Sequence, residues 1–207
     1  FVDASTATLE RCELLDTQPN GHGEFGRGIE IYEGGDATLV DSVIRGNHNV
    51  GVYASSASFV TLEHCQVLDT QPDGEGKLGH GIAVNEGSDA TVIDSVIQGN
   101  HEDGVVAWAS TVTLERCEVL DTQRSTETTG AVGVVAQLES FVYATELTIQ
   151  GTEGPGLYMN NGGSFECTGC AVTDNALAGA IVSGASSLQL SDSTLSDNRA
   201  WYGVGGV

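Results

Sequence analysis

Few residues in this chain have the chemistry to carry an activity. His80 lies in the tetrapeptide Gly79-His80-Gly81-Ile82, and Asp103 follows it one repeat later. An imidazole beside a carboxylate can hold an ion pair or pass a proton near neutral pH. Glu30 is a third candidate, placed near His80 by the repeat described below. Glu33 and Glu86 occupy equivalent places in two copies of that repeat, so repetition alone accounts for them. Asp16, Asp69 and Asp121 recur in the same way and could lend oxygens to calcium, together with turn carbonyls. No calcium-binding nonapeptide or helix–loop–helix calcium loop is present. Cys167-x-x-Cys170 has the spacing of a metal or redox pair, but no second pair completes a zinc site. No cofactor is therefore expected apart from calcium.

Composition bounds what these residues can serve. The chain has 207 residues with 28 Gly and only 3 Pro, and 40% of it is hydrophobic. Val, Thr, Ile, Ser and Gly fill the patterned stretches, which suits strands and turns. Seven basic residues against 29 acidic ones give a formal charge of -22. Such a surface repels nucleic acid and anionic membranes. No apolar run approaches the ~18 residues of a membrane span. Acidity of this degree suits a salty or calcium-containing medium, and the expected location is extracellular or on a cell surface.

The elements that must position these residues come from a repeat. Residues 28 onward read GIEIYEGGDATLVDSVIRGNHNVGVYASSASFVTLEHCQVLDTQ, and residues 81 onward read GIAVNEGSDATVIDSVIQGNHEDGVVAWASTVTLERCEVLDTQ, an offset of 53. Each block splits at glycines that open short apolar runs: Gly28, Gly51, Gly81, Gly104, Gly133, Gly156, Gly179 and Gly203, spaced 23, 30, 23, 29, 23, 23 and 24 apart. A period near 23 fits one turn of a three-sided solenoid. Alternation within each turn marks three inward columns, typified by Ile29/Ile31, Ala37/Leu39 and Ile44. The predicted fold is all-β: a right-handed, single-stranded parallel β-helix of about eight coils, with longer loops on alternate coils.

The remaining small and polar residues fall into register with it. Cys12, Ser42, Cys65, Ser95, Cys117, Leu147, Cys170 and Ser193 share an inward column, and Cys167 falls in the Leu39/Leu62 column. Cys12, Cys65 and Cys117 are two coils apart, too far for disulfides. All five cysteines are expected to pack as buried thiols, with a local Cys167–Cys170 bridge as the alternative. A further column, Thr17, Asn47, Thr70, Asn100, Thr122, Thr152, Asn175 and Asn198, can hydrogen-bond along the axis and satisfy turn backbone groups. This column resembles the asparagine ladders of the pectate-lyase-like β-helix superfamily, and the resemblance runs through nearly the whole chain. It implies the fold and says little about function.

Two surfaces could carry function. Insertions at Gln18–Arg27, Gln71–His80 and Gln123–Val132 recur at one corner and are expected to form a flap beside the first sheet. In the superfamily, substrate grooves commonly run along a sheet walled by such loops. The outward residues of that sheet form two columns: Glu30, Tyr53, Ala83, Val106, Val135 and Tyr158, and then Tyr32, Ser55, Asn85, Trp108, Gln137 and Asn160. Tyr32, Tyr53, Asn85, Trp108, Gln137, Tyr158 and Asn160 combine aromatic faces with amides, a combination that stacks on sugar rings and bonds their hydroxyls. The Gly-His-Gly element resembles that of polygalacturonases, but their paired-Asp and Arg-x-Lys motifs are absent. A threonine ladder at Thr8, Thr38, Thr61, Thr91 and Thr113 resembles ice-binding arrays. Its flanking column, read as Thr6, Asp36, Ser58, Asp89 and Thr111, is broken by acids.

The expected role is a noncatalytic structural or adhesive module that binds a glycan on its first sheet. A polysaccharide lyase or glycosidase acting near His80, Glu30 and Asp103 is the alternative, and a self-stacking filament segment is a third. The chain is expected to be one β-helix domain within a longer protein. Its partners would be the rest of that protein, another copy stacked head to tail, or a glycan.

Overall fold

The computed structural model describes residues 1–125 and 130–199. Among these, twenty-four strands form three eight-stranded sheets, and every strand pair is parallel. The first sheet runs from Val2–Asp3 to Ala180–Val182, the second from Thr6–Glu10 to Ser187–Ser191, and the third from Glu13–Leu15 to Thr194–Ser196. Each turn of chain contributes one strand to each sheet, so eight coils stack along one axis. Gly203, the last of the eight glycines that open a run in the sequence, lies outside the described residues.

The pairing is in register. Ala37, Val60, Ala90, Val112 and Val142 align one above another, as do Leu39, Leu62, Val92, Leu114 and Ala144. Together with Ile31, Ile44, Ile82, Ile97 and Ile149 they fill a core sealed from solvent. Each such aliphatic side chain contributes about 1.5–3 kcal/mol by leaving water. The three inward columns read from the sequence are therefore the three walls of the core.

Corners are held by small polar groups. Between the second and third sheets, the N–H of Cys12, Cys65 and Cys170 donates to the hydroxyl of Ser42, Ser95 and Ser193 one coil on. After the third sheet, the Thr17 and Thr70 N–H groups donate to Asn47 and Asn100 Oδ1, while the Asn47 and Asn100 amides donate to the carbonyls of Leu14 and Val67. Asn175 and Asn198 repeat this pattern further along the axis. Each asparagine thus closes two backbone groups that the turn would otherwise leave unpaired in a dry interior.

Two readings of the sequence need correction. Cys167 and Cys170 are joined by a disulfide and do not pack as free thiols. Both face the core across one tight turn, with Cα atoms 6.1 Å apart, a separation that a disulfide spans. Cys12, Cys65 and Cys117 remain free. On the second sheet, Phe59 and not Ser58 aligns with Asp36 and Asp89. The turn before this strand is one residue longer than its copy in the coil of Trp108, and the buried Ser58 hydroxyl is spent on the carbonyl of Ser55.

Candidate functional site

The candidate site is built on the outer face of the first sheet, and a glycine sets its geometry. A Cβ on Gly81 would meet the Gly104 carbonyl oxygen at 2.6 Å and Ile97 Cγ2 at 2.7 Å, so this position points inward and tolerates only hydrogen. Ile82, the next residue, also belongs to the core. The two-residue alternation therefore slips here, and His80 is left on the outer side. It aligns with Val50, which belongs to a second apolar cluster with Ala83, Val106, Val132 and Val135. Tyr53 and Tyr158 pack against that cluster. This middle part of the outer face is consequently as dry as a core.

Asp103 sits on the next coil, and its carboxylate approaches His80 Nδ1 at 3.3 Å. Both side chains are nearly sealed, at 4% and 12% exposure. Neither His80 nitrogen makes a well-formed hydrogen bond. Trp108 meets the imidazole edge to face, with ring centroids 6.4 Å apart. Burial lowers the His80 pKa to about 4. It raises Asp103 well above the ordinary carboxylate range, and the neighbouring Glu102 charge adds to that rise. Glu102 is itself pushed up by burial, against a hydrogen bond from the Leu78 backbone. The arrangement is a desolvated acid–imidazole pair in which burial disfavours the charged form of each member.

The flap forms, and it touches itself. In the first insertion Asn20 Oδ1 accepts from the N–H groups of His22 and Glu24. In the second, Asp73 Oδ1 accepts from those of Glu75 and Lys77. The Gly74 N–H donates to the Gly23 carbonyl at 2.9 Å, so the two loops meet backbone to backbone across the intervening coil. Of the third insertion, residues 126–129 lie outside the described residues.

The other candidates are placed as follows. Glu30 is ion-paired with Arg27 and lies two coils from His80, with the strand of Tyr53 between them. It does not join the His80–Asp103 pair. The Arg27 guanidinium lies 3.8 Å from the centre of the Tyr53 ring and occupies that face. Tyr32, Asn85, Gln137, Tyr158 and Asn160 are half-buried, and Trp108 is 36% exposed. Asn85, Trp108, Gln137 and Asn160 align across four coils, as the sequence predicts. Asp16, Asp69 and Asp121 do not converge. Each carboxylate lies over a glycine of the following coil (Gly46, Gly99 and Gly151), and these glycines separate the three acids. Among the described residues no three His, Cys, Asp or Glu side chains come together as a metal cage. Burial raises the Cys65 and Cys117 thiols, and both lie against backbone carbonyls, so they serve as filling.

Glu102 escaped the motif-based reading, yet a signal for it exists. Comparing the two copies, of 53 and 52 residues, with the extra residue of the turn before Phe59 left out, the core and the second and third sheets are largely retained. The outer face of the first sheet is not: Arg27, Glu30, Tyr32, Asn49, Val50, Tyr53 and Ser55 become His80, Ala83, Asn85, Glu102, Asp103, Val106 and Trp108.

Residues 27–200 match the family described as right-handed β-helix region. The chain belongs to the right-handed β-helix family. That membership agrees with three parallel sheets of eight strands around one core. No curated protein matches the chain.

Proposed function

We propose that this β-helix is a noncatalytic extracellular structural or adhesive module. It binds a glycan along the outermost column of the first sheet: Tyr32, Asn85, Trp108, Gln137 and Asn160. One observation carries the reading. The two sequence copies diverge on this face while their cores stay alike, and the divergence places an exposed indole where the other copy has Ser55. The changes from Tyr32 to Asn85 and from Ser55 to Trp108 alter what this face offers a ligand while the coil beneath is kept. Half-buried amides on either side of an exposed ring supply hydroxyl partners next to a stacking surface. Tyr53 and Tyr158 act behind this strip as packing, because they seal the apolar cluster.

The test is a glycan array on the purified protein and its Trp108→Ala variant. Binding should weaken by about 2 kcal/mol, roughly thirtyfold, when the indole is removed. Equal binding by both proteins would exclude the strip.

The 3.3 Å contact between His80 and Asp103 favours a second reading, a polysaccharide-cleaving enzyme in which this pair moves a proton. Incubation with polyuronides and neutral polysaccharides separates the two. Cleavage that disappears in Asp103→Asn would establish the enzyme, and intact polymer with retained binding would establish the module.

A further inference from the structure

The second sheet also departs from its repeat, at a place unrelated to the flap. One outward column carries Thr8, Thr38, Thr61, Thr91 and Thr113 on five successive coils, then changes to Tyr143, Glu166 and Gln189. The adjacent column carries Phe141 beside Tyr143. Phe141 and Tyr143 are 47% and 45% exposed, and their rings are parallel within 8° at a centroid separation of 6.4 Å. They line a hollow of about 190 Å³ together with Ser164, Glu166, Ser187 and Gln189. Ser187 donates to Ser164 at 2.9 Å. Among the described residues, the Tyr143 hydroxyl, the Glu166 carboxylate and the Gln189 amide have no hydrogen-bond partner within the protein.

We propose that this hollow is a binding site for an uncharged saccharide, separate from the first sheet. The two exposed rings give apolar faces for the C–H side of a sugar. On the next two coils, about 4.8 Å apart, a carboxylate and an amide offer acceptors and donors for its hydroxyls. Charge removes one ligand class: Glu166 in the hollow and a net charge of -22 over the chain repel an acidic sugar. The rings of Phe141 and Tyr143 and the Glu166 carboxylate stand on strands paired on both sides, whereas Ser187–Ser191 ends the sheet, so a strand-adding peptide would pair along that edge and leave the rings uncovered.

The repeat itself supplies a safe variant. Tyr143→Thr restores the residue that five other coils carry at this position, so the fold is retained. Glu166→Gln removes the charge at constant shape. Short neutral gluco-, galacto- and manno-oligosaccharides, with oligogalacturonate as the acidic comparison, would be titrated by calorimetry and by saturation-transfer NMR. The expected result is binding of at least one neutral series, weakened about tenfold or more in Tyr143→Thr and unchanged in Thr61→Ser, on the same column three coils away. Binding abolished by Trp108→Ala but untouched by Tyr143→Thr would assign the glycan to the first sheet and overturn this site. Absence of binding by every neutral series would overturn it too. So would oligogalacturonate binding that depends on Tyr143, or a surface that captures only a protein partner.

Discussion

His80 and Asp103 form the residue pair whose protonation can be followed without knowing a ligand. Burial lowers His80 to about 4 and raises Asp103 well above a free carboxyl. As the pH falls, the lowered His80 takes its proton later in the folded chain than in the unfolded one, and the raised Asp103 takes its proton earlier. The two shifts therefore act on the pH dependence of stability with opposite signs and offset one another. Asp103→Asn removes that balance. A histidine with a lowered pKa contributes stability that is full above the unfolded value near ~6.5 and is lost as the pH falls towards the folded value. From the lowered His80 alone, the variant should lose about 2 kcal/mol of stability between roughly pH 7.5 and 5, a steeper fall than the parent's, read from urea midpoints. His80→Gln should show the opposite sign, gaining stability as the pH falls through the raised Asp103 pKa. Parallel slopes in parent and both variants would mean that the pair is hydrated and unshifted.

At the scale of the element, the asparagine rungs are what make a coil close. Asn100 accepts from the Thr70 N–H at 2.9 Å and donates to the Val67 carbonyl at 3.0 Å, and all of these groups are buried. Asn100→Ala leaves one backbone donor and one acceptor unpaired and should cost about 2–4 kcal/mol. The same column has a missing rung. Thr152 stacks on Thr122, and its buried hydroxyl has no partner, whereas the next coil has Asn175 at this place. Thr152→Asn should therefore stabilise the protein by on the order of 1 kcal/mol, seen as a higher thermal midpoint. A lower midpoint would show that room, not hydrogen bonding, decides the residue there. The rungs were legible from sequence because one side chain repeats at one register. The inward slip at Gly81 was not, because a glycine has no side chain to betray which way it points. His80 is consequently placed by tertiary contact.

Over the whole molecule, charge is the term that acts everywhere. A net charge of -22 on a rod-shaped stack makes self-repulsion a standing cost. Stability should rise with sodium chloride as the Debye length shrinks from about 30 Å at 0.01 M to about 10 Å at 0.1 M. At equal ionic strength, calcium chloride is expected to add no more than this screening, since Asp16, Asp69 and Asp121 stand over separate glycines. A calcium effect that saturates at low concentration and exceeds that of sodium would show a site that these three acids do not form alone.

The sequence by itself determined the solenoid: its period, its three inward columns, its asparagine rungs and the corner that carries the insertions. Each of these is a local pattern repeated at fixed spacing, so neighbouring coils confirm one another. Only the tertiary structure decided which outward residues are exposed. Ala83, Val106 and Val135 sit at outward positions yet are dry, Arg27 covers Tyr53, and Glu30 pairs with Arg27. It also decided that Cys167 and Cys170 are bonded and that Phe59, not Ser58, continues its column. The physical reason is that exposure and pairing depend on distances across coils and loops. A linear pattern fixes which side of a strand a residue takes, but not what comes to rest against it.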